Sequence, residues 1–140
     1  MRIGIDISQV PYGTGVSYYT KELIRSLLEV DRENEYVFFG GYLRRRKDLQ
    51  GFVSSLSGRF TSRFLPFPPT LADIVWNRLH LLKIERFTGK IDVYHSSDWA
   101  QAPSDAFKVT TIHDLAPIKF HKLTPKRIIS VQYARLKWVA

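Results

Sequence analysis

The opening forty residues constrain the fold more than any other part of the chain. Arg2 to Ile7 alternates and is rich in isoleucine, and it runs into Ser8 to Gly15, which carries Pro11, Gly13 and Gly15 where a strand must turn. From Val16 to Val30 the apolar residues Val16, Tyr19, Leu23, Leu27 and Val30, with Ile24 and Leu28 beside them, recur at the spacing of one helical face. Thr14 or Gly15 is the natural N-cap. Asp31 to Asn34 ends that helix, and Glu35 to Phe39 is a short aromatic strand closed by Gly40-Gly41. The order strand, helix, strand is the unit of a parallel sheet.

The rest repeats the pattern. Arg44 to Leu56 predicts a short helix and Arg59 to Leu65 a strand, before Pro66-Phe67-Pro68-Pro69 interrupts regular structure. Thr70 followed by Asp73 resembles a capping box with Asp in place of Glu, and Leu71, Ile74, Val75, Arg78 or Leu79, and Leu82 continue one helical face to Phe87. Ile91 to His95 and Lys108 to His113 read as buried strands with functional groups at their C-terminal ends. Thr124 at a cap and Pro125 in a first turn start a last helix, carried by Ile128, Ile129, Tyr133, Leu136 and Val139 to the final residue. The expected fold is α/β, an open parallel sheet with helices on both faces. A periodic helix with no stop signal at its end predicts a single domain, 1–140, incomplete at its C-terminus.

Composition narrows the chemistry. The sequence has no cysteine, so disulfides, thiolate nucleophiles and Cys-ligated zinc are excluded. The N-terminal apolar run is too short and too acidic for a signal peptide or a membrane span, which predicts a cytoplasmic protein. Its 140 residues carry a formal charge of +8, which favours anionic partners. The excess sits in Arg44 to Lys47 and in Lys119, Lys122, Lys126, Arg127, Arg135 and Lys137. The first run reads as a solvated loop or helix start.

Ligands bind doubly wound sheets at the C-terminal ends of the strands, where three clusters fall. Gly13, Thr14 and Gly15 feed the first helix, whose N-terminus offers free N–H groups to an anion. The tight turn of a dinucleotide fingerprint is missing, because Ser8 to Tyr12 intervene and Tyr18 stands three residues after Gly15. His95, Ser96, Ser97, Asp98 and Trp99 present donors, acceptors and a flat ring suited to hydroxyl-rich substrates, or else form a polar turn capped by Ser97 or Asp98. His113 and Asp114 end the last strand, where the acid could bias the imidazole. His80 and His121 are assigned no role. The four histidines lack metal-ligand spacing, so no protein-bound metal is expected.

Five segments together resemble the N-terminal domain of family 4 glycosyltransferases, in particular mannosyltransferase-like members. They are Ile3-Gly4-Ile5-Asp6; Tyr12-Gly13-Thr14-Gly15-Val16 with Tyr19-Thr20-Lys21-Glu22-Leu23; Asn34 to Phe39; Asp92-Val93-Tyr94-His95-Ser96; and Val109-Thr110-Thr111-Ile112-His113-Asp114-Leu115. The resemblance implies a Rossmann-like domain, the N-terminal half of a GT-B fold. It further implies a retaining transferase that moves a sugar from a nucleoside diphosphate sugar, used as co-substrate without metal or other cofactor, to a saccharide or lipid-linked acceptor. By the same resemblance Gly13 to Gly15 lie against the donor diphosphate and the acceptor, and His113 reaches the donor sugar as a catalytic group. Asp114 orients that histidine or the loop, and His95 to Trp99, including Ser96 and Asp98, help form the acceptor pocket. The cations that neutralise the diphosphate belong to a C-terminal domain absent from this sequence, so the chain alone is expected to be inactive.

Two other readings compete. Ile3 to Ile7 also resembles the phosphate strand of actin-like ATPases, but a hairpin should follow it and a helix does. A basic module without catalysis would use Arg44 to Lys47 and the last helix, with Trp138 and Val139, to hold nucleic acid or an anionic membrane surface. The membrane partner, on the inner face, is compatible with a lipid-linked acceptor, whereas nucleic acid is the less expected partner.

Overall fold

Strands β1 (Arg2–Asp6), β2 (Glu35–Gly41), β3 (Phe60–Leu65), β4 (Val93–Ser96) and β5 (Phe107–Thr110) pair in the order β3-β2-β1-β4-β5, every pair parallel. The computed structural model describes residues 1–139. Helices α1 (Gly15–Val30), α2 (Arg46–Ser54), α3 (Pro69–Ala72), α4 (Glu85–Thr88), α5 (Ala116–Lys119) and α6 (Lys126–Leu136) connect and flank the strands. This is the expected Rossmann-like α/β architecture.

Strand β2 shows why a sheet forms here. Its side chains alternate between faces, so Tyr36 and Phe38 enter one core with Ile5, Ile24, Leu28 and Leu49. Val37 and Phe39 enter the other, with Trp76, Ile84, Ile91 and Tyr94. Two apolar faces need helices on both sides, and the uninterrupted Tyr-Val-Phe-Phe run records that. Gly40 and Gly41 do not close β2 as expected but continue it. A Cβ on Gly41 would lie 2.5 Å from the carbonyl oxygen of Phe67, so close backbone approach, rather than a turn, requires glycine there.

Several helices differ from expectation. Thr14 does cap α1, its Oγ1 accepting from the Ser17 N–H at 3.2 Å. The buried face of α1, however, is Ser17, Thr20, Ile24 and Leu28, while Tyr19 and Val30 are exposed. Ser17 faces inward because its hydroxyl donates to the Val10 carbonyl, at the 3-10 turn Val10–Tyr12. The single helix expected from Thr70 to Phe87 is broken. After α3 the chain widens into a π-helical segment, Asp73–Arg78, and then turns through His80 and Leu82 at φ 50° and 61°. No capping box forms: Pro68 is the N-cap, and Asp73 instead accepts from Asn77 at 3.0 Å and Arg78 at 3.0 Å. The widened turn puts Asp73, Trp76 and Asn77 inside and leaves Ile74 exposed.

At the C-terminal end, β5 is shorter than expected and is not buried. Phe107 is 73% and Val109 37% exposed, because this is the sheet edge. Helix α6 has Pro125 as its N-cap, while Thr124 donates to the carbonyls of Ala116 and Phe120. Its buried residues are Val131, Ala134 and Arg135, and Tyr133 faces outward. Arg135 therefore does not belong to the basic surface. Nor is Trp138 free for an interface: its ring stacks on His80 at 3.7 Å and its Nε1–H donates to the Asn77 carbonyl at 2.8 Å. No helix among the described residues is long and apolar enough to cross a membrane.

Candidate functional site

From β1 the sheet grows one way to β2 and β3 and the other way to β4 and β5, so the order reverses between β1 and β4. Connections leaving the carboxyl ends of these two strands diverge and leave a crevice. A cleft of about 610 Å³ occupies it, lined by Asp6 at the end of β1, by Ser8 and Gln9 just after it, and by Ser97, Asp98 and Trp99 after β4. That volume lies within the range of roughly 300–1,000 Å³ typical of small-molecule sites.

Asp6, the last residue of β1, is 4% exposed. Its Oδ1 accepts from the Ser8 N–H at 2.9 Å and from the Ser8 hydroxyl. Ser8 Oγ accepts in turn from the Gly41 N–H at 2.8 Å, tying the β1 loop to β2. Burial raises the Asp6 pKa, opposed by the hydrogen bonds of Ser8 and a weaker one from Ser97. The Gln9 amide oxygen, oriented toward its donors, accepts from the N–H groups of Asp98 at 2.9 Å and Trp99 at 2.8 Å. Gln9 thereby joins the two loops across the crevice.

The three sequence clusters do not converge on one point. Thr14, Asp98 and Trp99 line the cleft, while Gly13 and Gly15 stand beside it with no atom within 4 Å of a built Cβ. Gly13 has φ 67°, a conformation that favours glycine. Ser96, expected to bind substrate, is 2% exposed and its hydroxyl donates to Gln101 Oε1 at 2.6 Å. It braces the loop from beneath. Ser97 forms the local turn, accepting from the Ala100 N–H at 3.1 Å.

His113 lies outside the cleft lining. It is exposed after β5, its ring edge-on to Tyr19 at 4.8 Å. His95 Nε2 and the Tyr19 hydroxyl each lie 3.2 Å from Thr111 Oγ1, so a His95–Thr111–Tyr19–His113 group forms beside the cleft. Burial lowers the His95 pKa, reinforced by the charges of His113 and Arg135. Asp114 does not meet the imidazole; its Oδ1 accepts from the Ala116 N–H at 2.8 Å and shapes the turn into α5. With Asp98 and Ile112 it also lines a second pocket of about 80 Å³.

Sequence reading missed Arg135. Its side chain is 1% exposed and reaches Asp98 at 3.8 Å, Gln132 at 3.2 Å, the Thr111 carbonyl at 3.3 Å and the Thr110 hydroxyl. Burial lowers its pKa, opposed by Asp98. Asp98 is itself raised by burial, a shift that the Arg135 and His113 charges oppose. Asp6, quoted only as part of a strand, is the other omission. An acid within a β-prone run, one residue from its end, was the available signal.

No group of three or more potential metal ligands gathers among the described residues. No family model, curated protein or solved structure matches the chain.

Proposed function

We propose that this chain is the N-terminal, acceptor-side portion of a retaining GT-B glycosyltransferase. It would act in transferring a mannose- or glucose-like sugar from a nucleoside diphosphate sugar to a saccharide or lipid-linked acceptor. The supporting observation is the cleft at the β1–β4 reversal, with a buried carboxylate and an indole ring in its lining. Open space at Gly13 and Gly15, at the start of α1, supports an approach by the donor diphosphate. The exposed His113 is available to a sugar presented from outside the sheet. In this reading the chain orients the acceptor hydroxyl, and a second domain supplies the donors that neutralise the departing diphosphate.

The chain alone should release no nucleoside diphosphate from GDP-mannose or UDP-glucose. A gene product extended beyond Ala140 should carry a second βαβ domain with a Glu-x7-Glu motif and transfer sugar with retention. In that product His113→Ala should lower kcat by about 10²-fold with an unchanged circular dichroism spectrum. Turnover by the 140 residues alone, or a downstream sequence without such a domain, would overturn the assignment.

A second reading, docking on an anionic membrane surface, is favoured by one patch. Ile118, Phe120 and Leu123 are 39%, 58% and 85% exposed, and Lys119, Lys122 and Lys126 stand exposed among them. Sedimentation with phosphatidylserine-containing vesicles should be strong at low salt and weak at high salt. Equal binding to pure phosphatidylcholine, or none at low salt, would remove this reading. The run Arg44 to Lys47 supports it less: Arg45 donates to the Pro11 carbonyl at 2.8 Å and lies over the Tyr12 ring.

A further inference from the structure

The cleft offers far fewer free polar atoms than polar residues. The Ser8 hydroxyl is committed between Asp6 and Gly41, and the Gln9 oxygen between two backbone amides. Gln132 donates to the Asp98 carbonyl at 2.8 Å. Both indole N–H groups are also consumed by the protein: Trp76 donates to the Leu82 carbonyl at 3.0 Å and Trp99 to the Pro69 carbonyl at 3.3 Å. The two rings, with Phe67, Ala72 and Ile128, therefore present carbon to the cleft.

One side chain at the base of the cleft stands apart. Asp6 accepts both of its Ser8 hydrogen bonds at Oδ1, and its Oδ2, with the Ser97 hydroxyl nearby, faces the open space of the cleft. Within the cleft the Asp98 carboxylate, paired only with Arg135 at 3.8 Å, and the Gln9 amide nitrogen keep some capacity, while Tyr12, Thr14 and Arg127 belong to exposed residues and mark the mouth. A saccharide enclosed by these walls would leave several hydroxyls unpaired, each at a cost of about 1–3 kcal/mol. A mainly apolar body with one inner hydroxyl would leave none.

We propose that the cleft takes an amphipathic acceptor. Its aryl or alkyl body lies against Phe67, Trp76 and Trp99, one inner hydroxyl donates to Asp6 Oδ2, and its polar end sits at the mouth beside Tyr12, Thr14 and Arg127. This rests on the acceptor-site reading above and narrows it, setting free saccharides aside.

Three glucosides test it by titration calorimetry on the 140-residue chain: 4-hydroxyphenyl, phenyl and methyl, with 4-methylphenol as a sugar-free probe. The 4-hydroxyphenyl compound should bind about tenfold more tightly than the phenyl compound, the worth of one hydrogen bond to a charged group. The methyl compound should be at least about 100-fold weaker, because it lacks the apolar body. Asp6→Asn should erase the tenfold preference for the 4-hydroxyphenyl over the phenyl compound. It should also melt no lower than the parent, since it removes a buried charge while keeping an acceptor for Ser8, and this separates lost recognition from lost fold. Methyl glucoside binding as tightly as the aryl compounds would overturn the amphipathic class and leave the acceptor site standing. Binding of 4-methylphenol without any glucoside would keep the apolar cleft and remove the acceptor reading. Retention of the tenfold preference in Asp6→Asn would overturn the role given to Asp6, and no binding by any probe would overturn both readings.

Discussion

Trp76→Ala is expected to lower the free energy of unfolding by about 4 kcal/mol, read from urea denaturation followed by circular dichroism. The indole is 1% exposed and lies 4.7 Å from the Phe67 ring, 5.6 Å from Phe39 and 6.3 Å from Phe87, centroid to centroid. Alanine would leave a cavity among aromatic rings fixed by the sheet on one side and the π-helical segment on the other, so collapse should recover little of the loss. Trp76→Phe keeps a ring but leaves the Leu82 carbonyl without its donor, and should cost only about 1–2 kcal/mol. A loss below about 1 kcal/mol for the alanine variant would mean that the second core is looser than its ring contacts indicate. Because Trp76 also lines the cleft, the alanine variant should lose aryl glucoside binding even at temperatures where it remains folded.

Arg135→Met is expected to cost about 3 kcal/mol, the low end for removing one partner of a buried pair, because Asp98 keeps 23% side-chain exposure. The methionine would fill much of the space. It would leave Asp98 without its cation and the Thr111 carbonyl and Thr110 hydroxyl without a donor. The pH dependence has a definite sign. Asp98 already has a raised pKa from burial, and removing Arg135 removes a charge that opposes that shift. A carboxyl whose folded pKa lies above its unfolded value contributes stability at low pH that is lost as pH rises through the folded value. The penalty of Arg135→Met should therefore be greater at pH 7 than near pH 4. Asp98→Asn in the same background should remove that slope, and a slope that persists would assign it to another group.

Strand β2 was legible because it is buried on both faces and shows as an unbroken apolar run, whereas β1 and β3 show only alternation. Strand β5 was read as longer than it is. As an edge its outer residues need not be apolar, and the run from Lys108 to His113 suggested three strand residues, Thr111 to His113, beyond those that pair with β4. The middle helix misled for a different reason. Leu71, Ile74, Leu79 and Leu82 keep a helical period, yet 39–57% of each is exposed, while the π-helical widening turns Asp73 and Asn77 inward. Asn77 repays its burial with hydrogen bonds to Asp73, the Trp99 carbonyl and the Gln101 N–H. Such a hub leaves no periodic trace.

The candidate site was half legible for a related reason. Positions in the loops after strands can be read from local pattern, which located Thr14, Asp98 and Trp99 in the cleft lining but not His113. Whether a side chain at such a position faces a ligand depends on what reaches it from elsewhere in the chain. Ser96 meets Gln101 and becomes a brace; Asp98 meets Arg135, thirty-seven residues later, and becomes half of an ion pair. Asp6 is identified as a cleft residue only once β4 is placed beside β1.

That placement also orders events during synthesis. Ile3 pairs with Tyr36 on one side and with Val93 on the other, so one edge of the first strand waits for a partner made ninety residues later. At a ribosomal pace of about 5–20 residues per second, the interval after β3 emerges lasts a few seconds. The first core, around Ile24, Phe38 and Leu49, draws only on residues up to Phe64 and can assemble in that time. The half of the sheet that completes the cleft comes later, and a nascent chain stalled before β4 would hold a first core but no binding site.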